Sequence, residues 1–298
     1  MKMKTPIKLI SLASASLLLA ACGGEDTADD SDASLGEQLE YTITGIEPGA
    51  GITETTERAL EAYDSLEGWE LETSSTAGMM GQLDSAIDGE EPIIVTGWTP
   101  HYMFEMYDLK FLEDPEGVYG EAEFVHTMAR EGFEEDMPEA YAILENFSWE
   151  VDDMQSIMLE AQEVDFEEAA ANWIEENQDT VDSWTEGVDE VDGQELELGS
   201  FPWDSERASS AVISQVLEAH GFEVTVNNVD PSILFQALAQ GEVDVTVAPW
   251  LPTTQGAYLE EYGDEIVDMG PNMEGTVIGL VVPEYMDIDS IEDLEPAE

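Results

Sequence analysis

The sequence predicts an α/β protein of two similar lobes, each a mainly parallel sheet flanked by helices, with a ligand cleft at the hinge. Three observations predict it. A strand–helix–strand–helix–strand pattern occurs twice within the 298 residues, which is the pattern of a parallel sheet covered by helices. Both copies end in a Trp-x-Pro tripeptide, Trp98-Thr99-Pro100 and Trp250-Leu251-Pro252. Each copy is followed by one further apolar strand, 124–129 and 276–282, placed to join the sheet of the other copy. A chain that crosses twice between lobes makes a hinge, and closure around a small molecule is the usual use of that geometry.

The first copy opens with the alternating strand Tyr41 to Ile46 and the Gly-bearing turn Pro48-Gly49-Ala50-Gly51-Ile52. Ala59, Leu60 and Tyr63 mark one face of a helix that stops at Gly68. A short strand at 70–73 follows, then a helix through Met79, Met80, Leu83 and Ile87, then a buried strand at 93–96. The second copy repeats the script. Its strand at 195–200 leads to the turn Phe201-Pro202-Trp203-Asp204-Ser205, and Ala208, Val212, Val216 and Leu217 line a helix stopping near Gly221. A strand at 223–226, a helix opened by Pro231 and a strand at 243–248 complete it. From the helix-stop glycine to the Trp of Trp-x-Pro is 30 residues in one copy and 29 in the other. Between the copies, 130–190 reads as helices. The expected lobes are therefore A, 40–118 with 272–298, and B, 119–271.

Seven Lys and Arg stand against 70 Asp and Glu, a formal net charge of −63, while apolar residues reach 43 %. The apolar content is enough for a packed core. The charge excludes nucleic acid as a partner, because a phosphate backbone needs a basic face. The acids are spread through the sequence, as in a whole-surface adaptation to concentrated brine, where screening within about 3 Å at 1 M salt removes their repulsion. Three of the basic residues, Lys2, Lys4 and Lys8, precede a 13-residue apolar run from Leu9 to Ala21. Such a run is too short for a lone membrane span and reads as an export signal over 1–21. The lone cysteine, Cys22, directly follows Leu-Ala-Ala. That resembles the bacterial lipobox, which implies lipidation of Cys22 and anchoring to the outer face of the cytoplasmic membrane. Residues 22–39 then read as an acidic tether. A single cysteine allows no intrachain disulfide and no cysteine-built zinc site.

Trp69, Trp149, Trp173 and Trp184 sit within or beside helical patterns and are expected in the core. Trp98, Trp203 and Trp250 fall just after predicted strands, in turns, where ligands sit in open parallel sheets. Converging indole faces suit a quaternary ammonium, which hydrogen bonds cannot satisfy. Three desolvated contacts of about 2 kcal/mol give about 6 kcal/mol, short of the roughly 8 kcal/mol of micromolar binding, so a further anchor is needed. The turn at Gly51 and Ile52, opening a helix, offers backbone amides to an anion. An ammonium cage with an anion site describes a betaine.

These motifs resemble the glycine betaine/proline betaine substrate-binding lipoproteins of ABC importers. The matching segments are GIEPGAGI (45–52), PIIVTGWTPHYMF (92–104), FPWDSE (201–206), APWLPTT (248–254) and IGLVVPEYM (278–286). The resemblance implies the type II periplasmic-binding-protein fold. It implies that Trp98, Trp203 and Trp250 form the cage and that the amides of Gly51 and Ile52 hold the carboxylate. It also implies an ABC permease as partner, a monomeric receptor, and no metal or cofactor. Characterised relatives place a His five residues after the third cage Trp; here that residue is Gln255. An amide still donates but does not titrate, so binding is expected to be flat in pH, a loss near pH 6.5 to 7 pointing instead to a contact from His101. Choline, carnitine, proline betaine or a sulfonium analogue are alternative ligands. Alternatives of another class are a sensory receptor module or an enzyme acting on trimethylammonium compounds. No nucleophile elbow, His-Glu-x-x-His or P-loop supports an enzyme.

Overall fold

The computed structural model describes residues 33–297. The expected leader, Cys22 and most of the expected tether lie outside the described residues. The end of the tether segment is folded: Ser34 and Glu37 cap each other's backbone at a one-turn helix α1 (Leu35–Gln38), and Leu39 is buried.

The first half then runs β1 (Thr42–Gly45), α2 (Gly51–Ala62), β2 (Glu70–Thr73), α3 (Thr76–Gly89) and β3 (Val95–Thr99), followed by α4 (Met103–Met106) and β4 (Leu109–Phe111). The chain crosses over as β5 (Glu123–Arg130) and forms a helical block, α5 (Phe133–Asp136), α6 (Pro138–Asn146), α7 (Val151–Glu160), α8 (Phe166–Glu176) and α9 (Gln178–Thr185). The second half follows as β6 (Gln194–Ser200), α10 (Asp204–Ala219), β7 (Phe222–Asn228), α11 (Pro231–Gln240), β8 (Val245–Thr246) and β9 (Trp250–Leu251). After α12 (Gly256–Tyr262) the chain returns along the 18-residue β10 (Ile266–Pro283).

The sheet order is β2-β1-β3-β10-β5-β8-β6-β7. It is nearly symmetric about its middle. β2, β1 and β3 are parallel, as are β7, β6 and β8. Each trio gains an antiparallel strand from the other copy: β5 pairs β8, and Val277–Val281 of β10 pair β3. The remainder of β10, Ile266–Thr276, pairs β5 with three register shifts. The fold is thus the expected two-lobed α/β architecture, with the two exchanged strands where the sequence puts them.

Local chemistry explains the elements. Apolar alternation buries Ile43, which shares one core cluster with Met79, Leu83 and Ile94. Gly221 ends α10 at φ +94°, and a Cβ there would lie 2.1 Å from the Val191 carbonyl oxygen, so no other residue fits. In the helical block Trp173 stacks on Trp184 at 6.0 Å and Phe147 meets Trp184 edge-on at 4.9 Å. Trp69, Trp149, Trp173 and Trp184 are all buried, as expected of core residues. The indole N–H of Trp184 donates to the Ser148 carbonyl at 3.1 Å and that of Trp69 to Glu295 at 2.9 Å.

Two expectations are corrected. Trp98 and Trp250 lie in strands, not in turns after them. The reason is long-range: Trp98 pairs with Ile278 of β10, and Trp250 with Val125 of β5, so strands from the opposite copy lengthen the ladder. The strand expected over 243–248 is only Val245–Thr246. Asp244 still continues it in part, its amide donating to the Glu197 carbonyl, while its carboxylate takes the Glu197 N–H at 2.8 Å.

Candidate functional site

One cavity brings six of the seven expected site residues together. Its walls include Trp98, Trp203, Trp250, Gly51, Ile52 and Gln255. Its volume is about 40 Å³, several times the roughly 10–15 Å³ a single water requires. It lies beyond the carboxyl ends of β1, β3 and β6, where two helices begin.

Each half positions its residues by the same device. Trp98 is the penultimate residue of β3 and Trp250 opens β9, and each is followed by a residue and a cis proline: the Thr99–Pro100 and Leu251–Pro252 bonds are both cis. Both rings are buried, 4 % exposed. Trp203 is the residue before α10, extended at φ −79° and ψ 160°. Its indole N–H reaches the Glu47 carboxylate at 3.4 Å, linking the second half to the turn before α2. Glu47 is itself fixed, accepting from the Thr76 amide at 2.9 Å and hydroxyl at 3.0 Å.

The amide end of the cavity belongs to α2. Ala50 precedes it in extended conformation and no side chain caps it. The first-turn N–H groups therefore remain available, and they carry the positive end of the helix dipole. Gly51 is in close contact with the other half, since a Cβ there would lie 2.7 Å from the Thr254 carbonyl oxygen.

Gln255 faces the same space. Its Oε1 accepts from the Trp250 backbone amide at 2.6 Å, and its backbone N–H donates to the Trp250 carbonyl at 2.9 Å. That pairing fixes the flip of the side-chain amide and leaves its NH2 group as the donor not engaged. The loop is held from the crossover strand. The buried Glu123 carboxylate accepts from the Thr254 amide at 2.9 Å, and from the Thr253 amide and Thr254 hydroxyl.

His101 is not among the cavity's wall residues. It is fully buried behind Trp98, edge-on to that ring at 4.5 Å and stacked on Tyr102 at 4.4 Å. Its Nδ1 accepts from the Met103 amide at 3.2 Å, and its Nε2 is buried without a partner. Burial alone pushes its pKa down to about 3, so it is a neutral imidazole bracing Trp98.

The sequence reading missed Ser205, Glu206 and Thr254, which also line the cavity. Glu206 is only 4 % exposed and its carboxylate accepts from the Ser205 hydroxyl at 2.8 Å. Burial is the main cause that pushes its pKa up, to about 7. The Trp250 indole stands near enough to favour the ionised form, although its N–H makes no hydrogen bond of standard geometry. Acids in the first turn of a helix are common caps, so the Glu of FPWDSE gives no signal in sequence; only its burial in the cavity does. Among the described residues, no group of three or more His, Cys, Asp or Glu could hold a metal ion.

The comparison with known families decides the family. The model for the "substrate binding domain of ABC-type glycine betaine transport system" matches residues 25–176 and 194–298. The chain belongs to that family. It is 46 % identical to the glycine betaine/carnitine transport binding protein GbuC of Listeria monocytogenes, over 98 % of this chain and 99 % of that protein. Proteins of this family are binding components of transporters rather than enzymes. Among solved structures it is similar to lactococcal OpuAC in its closed form with glycine betaine, 40 % identical, with a TM-score of 0.45 over 50 % of this chain and 59 % of that one. A glycine betaine/L-proline-binding protein, ProX, from Borrelia burgdorferi is 35 % identical, with a TM-score of 0.47 over 50 % of this chain and 57 % of that one. The chain thus spans less than two thirds of these solved structures.

Proposed function

We propose that this chain is the extracytoplasmic receptor that delivers glycine betaine to an ABC importer for osmoprotection. Trp98, Trp203 and Trp250 cage the trimethylammonium group, the amides of Gly51 and Ile52 hold the carboxylate, and the free NH2 of Gln255 donates to it. The observation that carries this reading is the convergence of three indoles and an uncapped helix N-terminus on one cavity. An anion end and an aromatic end in one small space suit a compact zwitterion. Proline betaine shares both groups and is the second ligand expected. Carnitine, named for the Listeria relative, shares them on a longer chain. Choline lacks the carboxylate and ranks below.

The proposal includes the rest of the machinery. Lobes A (40–118 with 272–298) and B (119–271) close on the ligand about the strands β5 and β10. Cys22 carries the lipid that holds the monomer at the outer face of the membrane, beside the permease. The surface acids keep the protein folded and soluble in concentrated salt. Among the described residues, no helix is long and apolar enough to cross a membrane.

The test is a tryptophan-fluorescence titration of the purified protein in about 2 M salt with glycine betaine, proline betaine, carnitine, choline and ectoine. Saturable quenching or a blue shift is expected at the lowest concentration with glycine betaine, since its ammonium lies against three rings. A response to ectoine or choline at lower concentration than to either betaine would overturn the assignment.

A further inference from the structure

The polar lining of the cavity is unbalanced. The anion-seeking groups among its walls are the α2 amides at Gly51 and Ile52 and the Gln255 NH2. The same walls hold a buried carboxylate, Glu206, that the cage reading does not use. Glu206 is the third residue of α10, on the same turn as Trp203 and close to the Trp250 indole. The Ser205 hydroxyl donates to its carboxylate, and its own backbone amide and the nearby Trp250 indole also favour the ionised form. Its backbone is anchored firmly: its carbonyl accepts from the hydroxyls of Ser200 at 3.1 Å, Ser209 at 3.1 Å and Ser210 at 2.6 Å. The backbone is therefore held by three serines, and among the described residues no Lys or Arg pairs with the carboxylate. A carboxylate buried in this way is expensive unless a cation reaches it.

We propose that Glu206 is the anionic wall of the cavity, its carboxylate facing the ligand's onium group, so that the caged end selects positive charge and not merely a trimethyl shape. The proposal rests on the cage reading above. It makes the cavity electrically complementary to a zwitterion along its length: amides toward the carboxylate, carboxylate toward the ammonium.

A proton linkage follows. The unliganded carboxylate titrates near neutrality. A cation beside it favours the ionised form, so binding releases a proton and affinity falls as pH drops through this range. The neighbouring charges are few. Asp204 lies on the same helix and raises the pKa of Glu206 further; Arg207 is beside Asp204, its guanidinium over the Phe166 ring of α8. Glu47, from the first half, acts on Asp204 and holds the Trp203 indole. Glu206 is the one charged residue among the wall residues, and His101 stays neutral behind Trp98. This replaces the pH-flat binding expected from Gln255 alone.

The experiment has three arms in high salt. Calorimetry of glycine betaine binding to the unmodified protein at pH 7, in two buffers of different ionisation enthalpy, counts protons. Release of up to about half a proton per ligand is expected. Proton uptake would mean that a protonated Glu206 donates to the ligand carboxylate, and zero exchange that it does not meet the ligand; either overturns the proposal. In the second arm, Glu206→Gln is titrated at pH 8 with glycine betaine and with 3,3-dimethylbutanoate, which replaces the ammonium nitrogen by carbon. The preference for the betaine should fall at least tenfold; an unchanged preference, with both ligands weakened alike, would reduce Glu206 to a structural role. In the third arm, Trp98→Ala separates the two readings. If it loses the betaine while Glu206→Gln does not, the cage stands and the anionic wall falls. If neither substitution matters, the cavity reading itself fails. Should Glu206→Gln not fold, the proton count on the unmodified protein decides.

Discussion

The two halves of the molecule are built on one plan and put it to different uses. Each sends three parallel strands to the same rim, ends its third helix-covered strand region in Trp-x-Pro with a cis proline, and starts a long helix at the cavity. The helices then diverge. α2 begins Gly51-Ile52-Thr53, with no side-chain cap and a backbone pressed against the opposite loop. α10 likewise has no side-chain cap, but it begins Asp204-Ser205-Glu206, with two acids in its first turn against one, Glu54, in that of α2. The difference is one of degree and place: a buried carboxylate, Glu206, accepts from its own amide in the first turn of α10, whereas the first three residues of α2 carry no charge. A duplicated frame thus supplies shape twice and polarity once in each sense, which is what a ligand with opposite charges at its two ends requires.

The largest effect that could break this comparison is removal of a ring from each half. Trp98→Ala in the first half and Trp250→Ala in the second should each weaken glycine betaine by about 2 kcal/mol, roughly 30-fold. The double variant should lose at least the product, measured by radiolabelled ligand retention. Equal losses would show the halves sharing the cation. A loss confined to Trp250→Ala would place the ammonium wholly in the second half and leave Trp98 as a rim residue.

Much of this was legible in the sequence. The duplication, the exchanged strands and the three tryptophans that line the cavity follow from local period, glycine stops and a repeated tripeptide, all short-range signals. What escaped was set by pairing at a distance. Nothing near Trp98 or Trp250 announces that Ile278 and Val125 will extend their strands. Nothing near Glu123 announces that it will hold the Thr253–Thr254 backbone, 130 residues away. Among 70 acids, Glu206 and Glu123 stand out only by being buried, and burial is a property of the assembled fold. His101, three residues after Trp98 in sequence, lies outside the cavity walls and packs edge-on against that ring, a placement its neighbours in sequence do not announce.

The second effect concerns the helix start of the second half. The folded pKa of Glu206, about 7, lies above the value of an exposed glutamate. The associated stability is fully present below pH about 4.5 and is lost as pH rises through about 7. At pH 8 the buried charge therefore costs the unliganded protein about 3 kcal/mol. Glu206→Gln should recover much of this, raising the thermal midpoint at pH 8, with the advantage over the unmodified protein shrinking toward pH 4.5. Denaturation at the two pH values in the same high salt measures it. An advantage of equal size at both would mean that the carboxyl never ionises in the fold, and the asymmetry between the helix starts would then be one of shape.

The smallest effect tests the first half's half of the bargain, the bare helix start. Gly51→Ala puts a methyl group 2.7 Å from the Thr254 carbonyl oxygen, a backbone atom that cannot swing aside. The two halves must then part locally, which moves the α2 amides from the carboxylate. Glycine betaine should bind about tenfold more weakly, near 1.4 kcal/mol, with little change in the fold because the residue lies at a helix start and its φ is not in the left-handed region. Gly81 is the internal control. It lies inside α3 with nothing within 4 Å of a Cβ, so Gly81→Ala should leave binding alone and add about 0.5–1 kcal/mol of stability through helix propensity. If Gly51→Ala binds like Gly81→Ala, close approach of backbone to ligand is not what the first half contributes. The open helix end would then be an ordinary strand-to-helix connection, and the polarity of the cavity would rest on Glu206 and Gln255 alone.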